Sequence, residues 1–378
     1  MKAEIKFLYL CVHVFLIFAF LVRPCYAENK INQKNLSLRE KVGQLFIIRP
    51  ESLNTAKTLE QINDNYKYGD VELNNLMREN LKKYPAGGFI IYGKNINDPE
   101  QLKKFVSDLK NSSSVIPFIA IDEEGGRIAR IANHKKFNVK KFKSAEAVGK
   151  TENVKNAFNM AEYISSYLSE YGFNFNFAPV ADVNTNPENI VIGDRAFSSN
   201  PETVSKMVSS YLDGLHANKI LGCIKHFPGH GDTKGDTHSG YVAIYKTWDE
   251  LLKNEIIPFK NNLNKTDSIM TAHITLKNVT SDDLPATLSR EIITDKLRGE
   301  LKYNGVIICD ALSMGAIHDN YNSGLSAVLA IEAGCDILLM PYDYIEAFEM
   351  ILNAVESGRI SEARLNESVN RILKLKGG

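Results

Sequence analysis

The sequence predicts a (β/α)8 barrel of the TIM type. Three observations predict it. Eight short runs rich in Ile, Val and Phe recur along the chain, helix-length amphipathic stretches separate them, and ionisable side chains stand where several runs end.

In chain order the strand candidates are Gly43–Ile48, Gly88–Tyr92, Pro117–Ile121, Phe173–Val180, Leu221–Ile224, Ser268–Thr271, Val306–Ile308 and Asp336–Met340. Mostly continuous apolar character suits strands buried on both faces, as in a parallel sheet. A doubly wound open sheet also alternates strands with helices. It accommodates eight strands less readily and brings a glycine-rich nucleotide fingerprint that this chain lacks. The pairs Gly87-Gly88 and Gly125-Gly126 stand alone and read as turns.

Between the runs, Glu202–Asn218, Trp248–Leu263 and Ser323–Ala333 have helical spacing. Val204, Val208, Tyr211, Leu212 and Leu215 fall on one stripe of the first. The segment Ser361–Lys376, with Leu365, Val369, Ile372 and Leu373 on one side, suits a final barrel helix. A single catalytic domain over 28–378 is expected, with no second domain.

In this fold, chemistry gathers at the C-terminal ends of strands and in the loops that follow. The run ends here carry Asp122 with Glu123, Asp182, Lys225 with His226, His273, and Asp310. A carboxylate leaving a buried strand, as Asp310 does, is costly unless hydrogen-bonded or functional. It could attack an electrophilic carbon, or cap the next helix.

Lys+Arg and Asp+Glu balance at 45 each in 378 residues, so no nucleic-acid partner is expected. At the N-terminus a charged start precedes the apolar run Phe7–Val22 and the polar residues from Glu28. That layout predicts a signal peptide over 1–27, cleaved after Ala27, and export to the periplasm, cell surface or medium. An uncleaved membrane anchor is the alternative. With the leader cleaved, no stable membrane partner is expected, and the protein is expected to be a monomer. Cys223, Cys309 and Cys335 lie in or beside apolar runs, and their odd number argues against a disulfide framework.

The densest chemistry lies between Lys225 and Gly240, where three histidines, two aspartates and two lysines share a glycine-broken stretch. As a metal site, His226, His230, Asp232, Asp236 and His238 offer ligands. However, Pro228 and Gly229 interrupt the helix that a His-x-x-x-His zinc pattern needs. As a structural loop, Pro228 and the glycines make turns and the histidines satisfy backbone groups. As an acid/base loop, Asp236 can bond one imidazole nitrogen of His238, fixing its tautomer and leaving the other to move a proton.

The run Lys225-His226-Phe-Pro-Gly-His-Gly-Asp-Thr233, with Asp236-Thr-His238, resembles the signature loop of family-3 glycoside hydrolases, in their β-N-acetylglucosaminidase branch. The resemblance extends to Leu38–Phe46, Ile121–Arg130, Phe177–Asp182, Ile192–Phe197, Met270–His273 and Cys309–Ala316, and so covers most of the chain. It implies a retaining, exo-acting β-N-acetylglucosaminidase (a β-N-acetylhexosaminidase) that needs no cofactor and no metal. Its substrate would be a glycan ending in N-acetylglucosamine, with peptidoglycan fragments favoured.

Asp310 would be the nucleophile, and His238 the acid/base paired with Asp236. Asp122, Arg130, Arg195, Lys225 and His226 would hold the terminal sugar. Asp182 and His273 would be supports, and His216 and His318 incidental. Many relatives take the acid/base carboxylate from an additional domain, whereas a histidine on the barrel's own loop makes that domain unnecessary. Two positions depart from the pattern. Ala311 stands where many relatives have Asp, and Glu123 where Gln is common. Both bear on fine specificity. The alternatives are a β-glucosidase or a β-N-acetylglucosaminide phosphorylase of the same family, or a non-catalytic carbohydrate-binding protein.

Overall fold

The computed structural model describes residues 35–233 and 242–377. The predicted leader and the positions Asp236 and His238 lie outside the described residues. Eight parallel strands form one sheet: β1 Phe46–Ile48, β2 Gly88–Ile91, β3 Phe118–Ile121, β4 Phe175–Asn176, β5 Leu221–Phe227, β6 Ser268–Thr271, β7 Val306–Ile308 and β8 Leu338–Leu339. Neighbours in the sheet are neighbours in sequence, with β8 joined to β1. A parallel bridge between Ile308 and Ile337, with Cys309 N–H donating to Ile337 O at 3.0 Å, brings β7 to β8 and closes the ring. Among the described residues, closure leaves this eight-stranded sheet without an open edge. The predicted barrel is therefore the observed one.

The helices form where their apolar stripes meet this barrel. Asn200 caps Pro201–Ala217 through the amides of Glu202 and Thr203. Each of the five predicted stripe residues on that helix is at most 1% exposed. Ser323–Ala333 matches its predicted bounds, and Glu362–Leu375 buries its predicted stripe. The three cysteines after residue 200 are buried and free.

Three expectations are corrected. The stretch Trp248–Leu263 is two helices, Trp248–Leu252 and Ile257–Asn262, because Pro258 lacks an N–H and its ring excludes a continuous turn before it. The run Phe173–Val180 yields only the short β4. There the side chains of Asn174 and Asn176 accept from Ile119 N–H at 2.7 Å and Glu123 N–H at 3.0 Å. They do so beside the backbone bonds from Asn174 N–H to Ile119 O and from Phe177 N–H to Ile121 O, and Pro179 has no N–H to extend the ladder. Of the two glycine pairs, only Gly125-Gly126 is a turn. Both residues have positive φ and connect the antiparallel ribbon Glu123–Gly125 and Ile128–Ala129. Gly88 instead opens β2, where a Cβ would stand 2.9 Å from Phe118 O.

Candidate active site

A cavity of about 400 Å³ opens at the C-terminal ends of the strands, lined among others by Arg49, Asp122, Arg130, Lys225, His226 and Asp310. Asp122 ends β3. The extended ribbon after it places Glu124, two residues on, at the same cavity. Lys225 Nζ reaches across from β5 and donates to Asp122 at 2.9 Å and to Glu124 at 2.7 Å. Glu124 also takes a two-pronged contact from Arg195, with Nε at 2.9 Å and Nη2 at 2.8 Å. Arg130 closes the chain with Nη2 at 3.4 Å from Asp122.

Burial alone would push Glu124 up, but the Arg195 and Lys225 charges outweigh it and hold the carboxyl far below the usual range. Burial likewise works against the charge on Lys225, yet Asp122 and Glu124 hold its ammonium protonated beyond its ordinary range. Joined through Glu124, the predicted binding residues Asp122, Arg130, Arg195 and Lys225 thus form one alternating array of charge.

His226 sits in a bulge of β5. The pairing with β6 shifts between Lys225–Met270 and Phe227–Thr271, leaving His226 without a partner in the ladder. Its Nδ1 lies 2.7 Å from Asp182 Oδ2, and the other carboxylate oxygen accepts from His226 N–H at 3.1 Å and His230 N–H at 2.7 Å. Asp182 is fully buried, so it orients His226 from behind, as a support.

Asp310 is the second residue after β7, and its carboxylate accepts from Ala311 N–H at 2.7 Å. Burial raises its pKa, but His273, His226, the Ala311 amide and Lys225 together hold it below the ordinary carboxylate range. His273 Nε2 lies 2.9 Å from Ala311 O. A carbonyl only accepts, so that nitrogen carries a proton. Its Nδ1 meets Thr287 Oγ1 at 3.0 Å, so His273 braces the residue next to Asp310.

Three further charged or imidazole side chains line the cavity without a part predicted for them there. Glu124 was passed over beside Glu123. The latter is instead buried under the ribbon, where it accepts from Arg130, Ile131 and Ala132 amides and from Tyr167 Oη. Alternation after Asp122 is the signal that separates the two. Arg49 directly follows β1, and its guanidinium donates to Asn63 at 2.6 Å and Asn65 at 2.8 Å. Its place at a strand end was legible in the same way as that of Asp310. His230 is 3% exposed and holds Thr233 Oγ1 at 2.8 Å through Nδ1, while its buried Nε2 has no partner among the described residues.

Asp232 pairs with Lys246 at 3.0 Å and accepts from Thr185 at 3.0 Å, so it anchors the start of the loop. His216 bonds Asp267 at 2.7 Å and His318 stacks on Tyr342; neither lines the cavity.

The family model for the glycosyl hydrolase family 3 N-terminal domain matches residues 37–375. A protein named beta-hexosaminidase A from Pseudoalteromonas piscicida is 34% identical over 326 residues, which are 79% of this chain and 54% of that one. A beta-hexosaminidase from Tolumonas auensis is 33% identical over 71% of this chain and 79% of its own. Among solved structures, a glycoside hydrolase family 3 beta-N-acetylglucosaminidase from Paenibacillus sp. str. FPU-7 superposes with a TM-score of 0.81 at 34% identity, covering 90% of this chain and 62% of that one. This chain thus spans 54% of the Pseudoalteromonas protein and 62% of the Paenibacillus chain.

Proposed function

The chain belongs to glycosyl hydrolase family 3, and from that premise we propose that it is an exo-acting, retaining β-N-acetylglucosaminidase. The observation that carries the proposal is Asp310, a carboxylate held ionised in a cavity of about 400 Å³ at a barrel strand end. An ionised oxygen there can attack an anomeric carbon without first losing a proton.

In this reading Asp310 forms a covalent bond to the anomeric carbon as the bond to the departing oxygen breaks. His238 donates the proton that oxygen needs, with Asp236 bonded to its other ring nitrogen. His238 then takes a proton from water, whose oxygen displaces Asp310 and restores the starting stereochemistry. Asp122 accepts hydrogen bonds from sugar hydroxyls, while Arg130, Lys225 and His226 donate to sugar oxygens; Arg195, fixed by Glu124, donates towards the N-acetyl group. The scheme uses no cofactor. The proposed source of the sugar is peptidoglycan fragments, met outside the cytoplasm by an exported chain.

The test compares aryl β-N-acetylglucosaminide and β-glucoside hydrolysis, each with and without phosphate. We expect the N-acetyl substrate to be preferred and free N-acetylglucosamine to be released regardless of phosphate. Asp310→Ala and Asp310→Asn should lose on the order of 10⁴-fold or more in kcat. Near-wild-type turnover in either variant contradicts the assignment.

A further inference from the structure

A second cavity, of about 610 Å³, shares no lining residue with the catalytic one. One wall is the loop that leaves Arg130, and another is the helix Val154–Glu170. From His134 to Ser144 this loop carries five lysines and no carboxylate, in a chain whose charges balance overall at 45 and 45. Lys135, Lys136, Lys140, Lys141 and Lys143 are all exposed. Among the described residues, Lys136 alone of the five has an acidic neighbour within 4 Å, Asp98 at 3.9 Å.

Lys140 and Lys143 line the cavity, with Phe142, Tyr163, Asn156 and Ser166 around them. Glu162 is the one carboxylate in that lining. Lys140 Nζ lies 4.8 Å above the Phe142 ring, and Tyr163 Oη accepts from Lys140 N–H at 2.9 Å, so the loop is fastened to the helix at this point.

We propose that this cavity and its lysine loop are a second, non-catalytic binding site for a glycan strand that carries carboxylates. Aromatic rings beside amide and hydroxyl groups suit sugar faces and sugar hydroxyls, and the lysines suit the carboxylates. A bilayer surface fits less well. Phe137 is buried and Phe142 half-buried, so the loop presents no exposed ring to insert. The loop begins at Arg130, on the rim of the catalytic cavity, so a strand held here keeps its ends at high local concentration near Asp310. The inference deepens the reading of the chain as a glycan hydrolase and rests on it only for why a polymer is present.

The experiment measures retention of the full chain on soluble peptidoglycan strands, in an Asp310→Asn background so that the strands persist. The same strands with amidated carboxylates, neutral chitin oligosaccharides and phosphatidylglycerol vesicles serve as comparisons. The combined substitution Lys140→Glu, Lys141→Glu and Lys143→Glu should weaken binding to native strands ~10-fold or more at low salt, and less at high salt. Amidation of the strands should have the same effect on the unsubstituted loop. With Asp310 intact, the three lysine substitutions should leave hydrolysis of an aryl N-acetylglucosaminide unchanged. Equal binding of native and amidated strands, retention indifferent to the lysines, or tighter binding to vesicles than to strands overturns the proposal. Failure to hydrolyse the aryl substrate would overturn the activity reading instead, and the binding comparison stands apart from it.

Discussion

Asp182 Oδ2 lies 2.7 Å from His226 Nδ1, and the other oxygen of the same carboxylate accepts the amides of His226 and His230. One buried carboxylate therefore fixes both the ring and the backbone at the bulge where β5 meets the cavity. Asp182→Asn keeps the shape but offers an N–H where an acceptor is needed. We expect kcat/KM to fall ~10–100-fold, as for other residues that orient an active imidazole. Steady-state kinetics check this; an unchanged kcat/KM would mean that His226 is held by other contacts.

Glu124 joins Lys225 to Arg195, so Glu124→Gln leaves the buried Lys225 and the part-buried Arg195 with a neutral neighbour. The loss of stability should be ~3 kcal/mol. The carboxyl is depressed in the folded protein, so its contribution is full above the unfolded glutamate pKa of about 4.3 and is lost as pH falls towards the depressed value. Urea midpoints of the wild type should therefore decline on acidification below about pH 4. The decline should be shallower in Glu124→Gln. Parallel pH profiles would show that Glu124 does not carry this linkage.

His273 is the leading favourable charge on Asp310, after the opposing effect of burial. Replacing it by Gln removes that charge, so the Asp310 carboxyl should rise towards the ordinary range. The acid limb of kcat/KM on an aryl substrate should then move to higher pH, with the alkaline limb in place. An acid limb that does not move would separate His273 from the ionisation of Asp310.

His230 lines the same cavity, and its buried Nε2 has no hydrogen-bond partner among the described residues. His230→Leu should raise KM ~10-fold with a smaller change in kcat, and His230→Gln should restore part of the loss. Equal effects of Leu and Gln would assign the residue to packing alone.

The barrel was legible because strands buried on both faces must be apolar throughout, and the ends of such runs expose any charged residue that follows. Asp122, Lys225, His226 and Asp310 were found in this way, and the structure brings them to one cavity. Glu124 was missed because two adjacent glutamates look alike until the ribbon sends one to the cavity and the other beneath it. The division of Trp248–Leu263 was missed because its apolar spacing survives the interruption that Pro258 makes. The shortness of β4 was missed because the apolar spacing of Phe173–Val180 continues past Pro179, which has no N–H for the ladder. Asp236 and His238 remain expectations from the loop's chemistry, since they lie outside the described residues.

The central claim is that Asp310 becomes covalently bonded to the sugar. A 5-fluoro glycosyl fluoride of N-acetylglucosamine slows release of such an intermediate, so intact-mass measurement and peptide mapping read it directly. One added N-acetylglucosaminyl-type group should be found, located on the peptide that contains Asp310 and absent from Asp310→Asn. A label on another residue, or steady turnover of an aryl substrate with inverted product and no label, would contradict it.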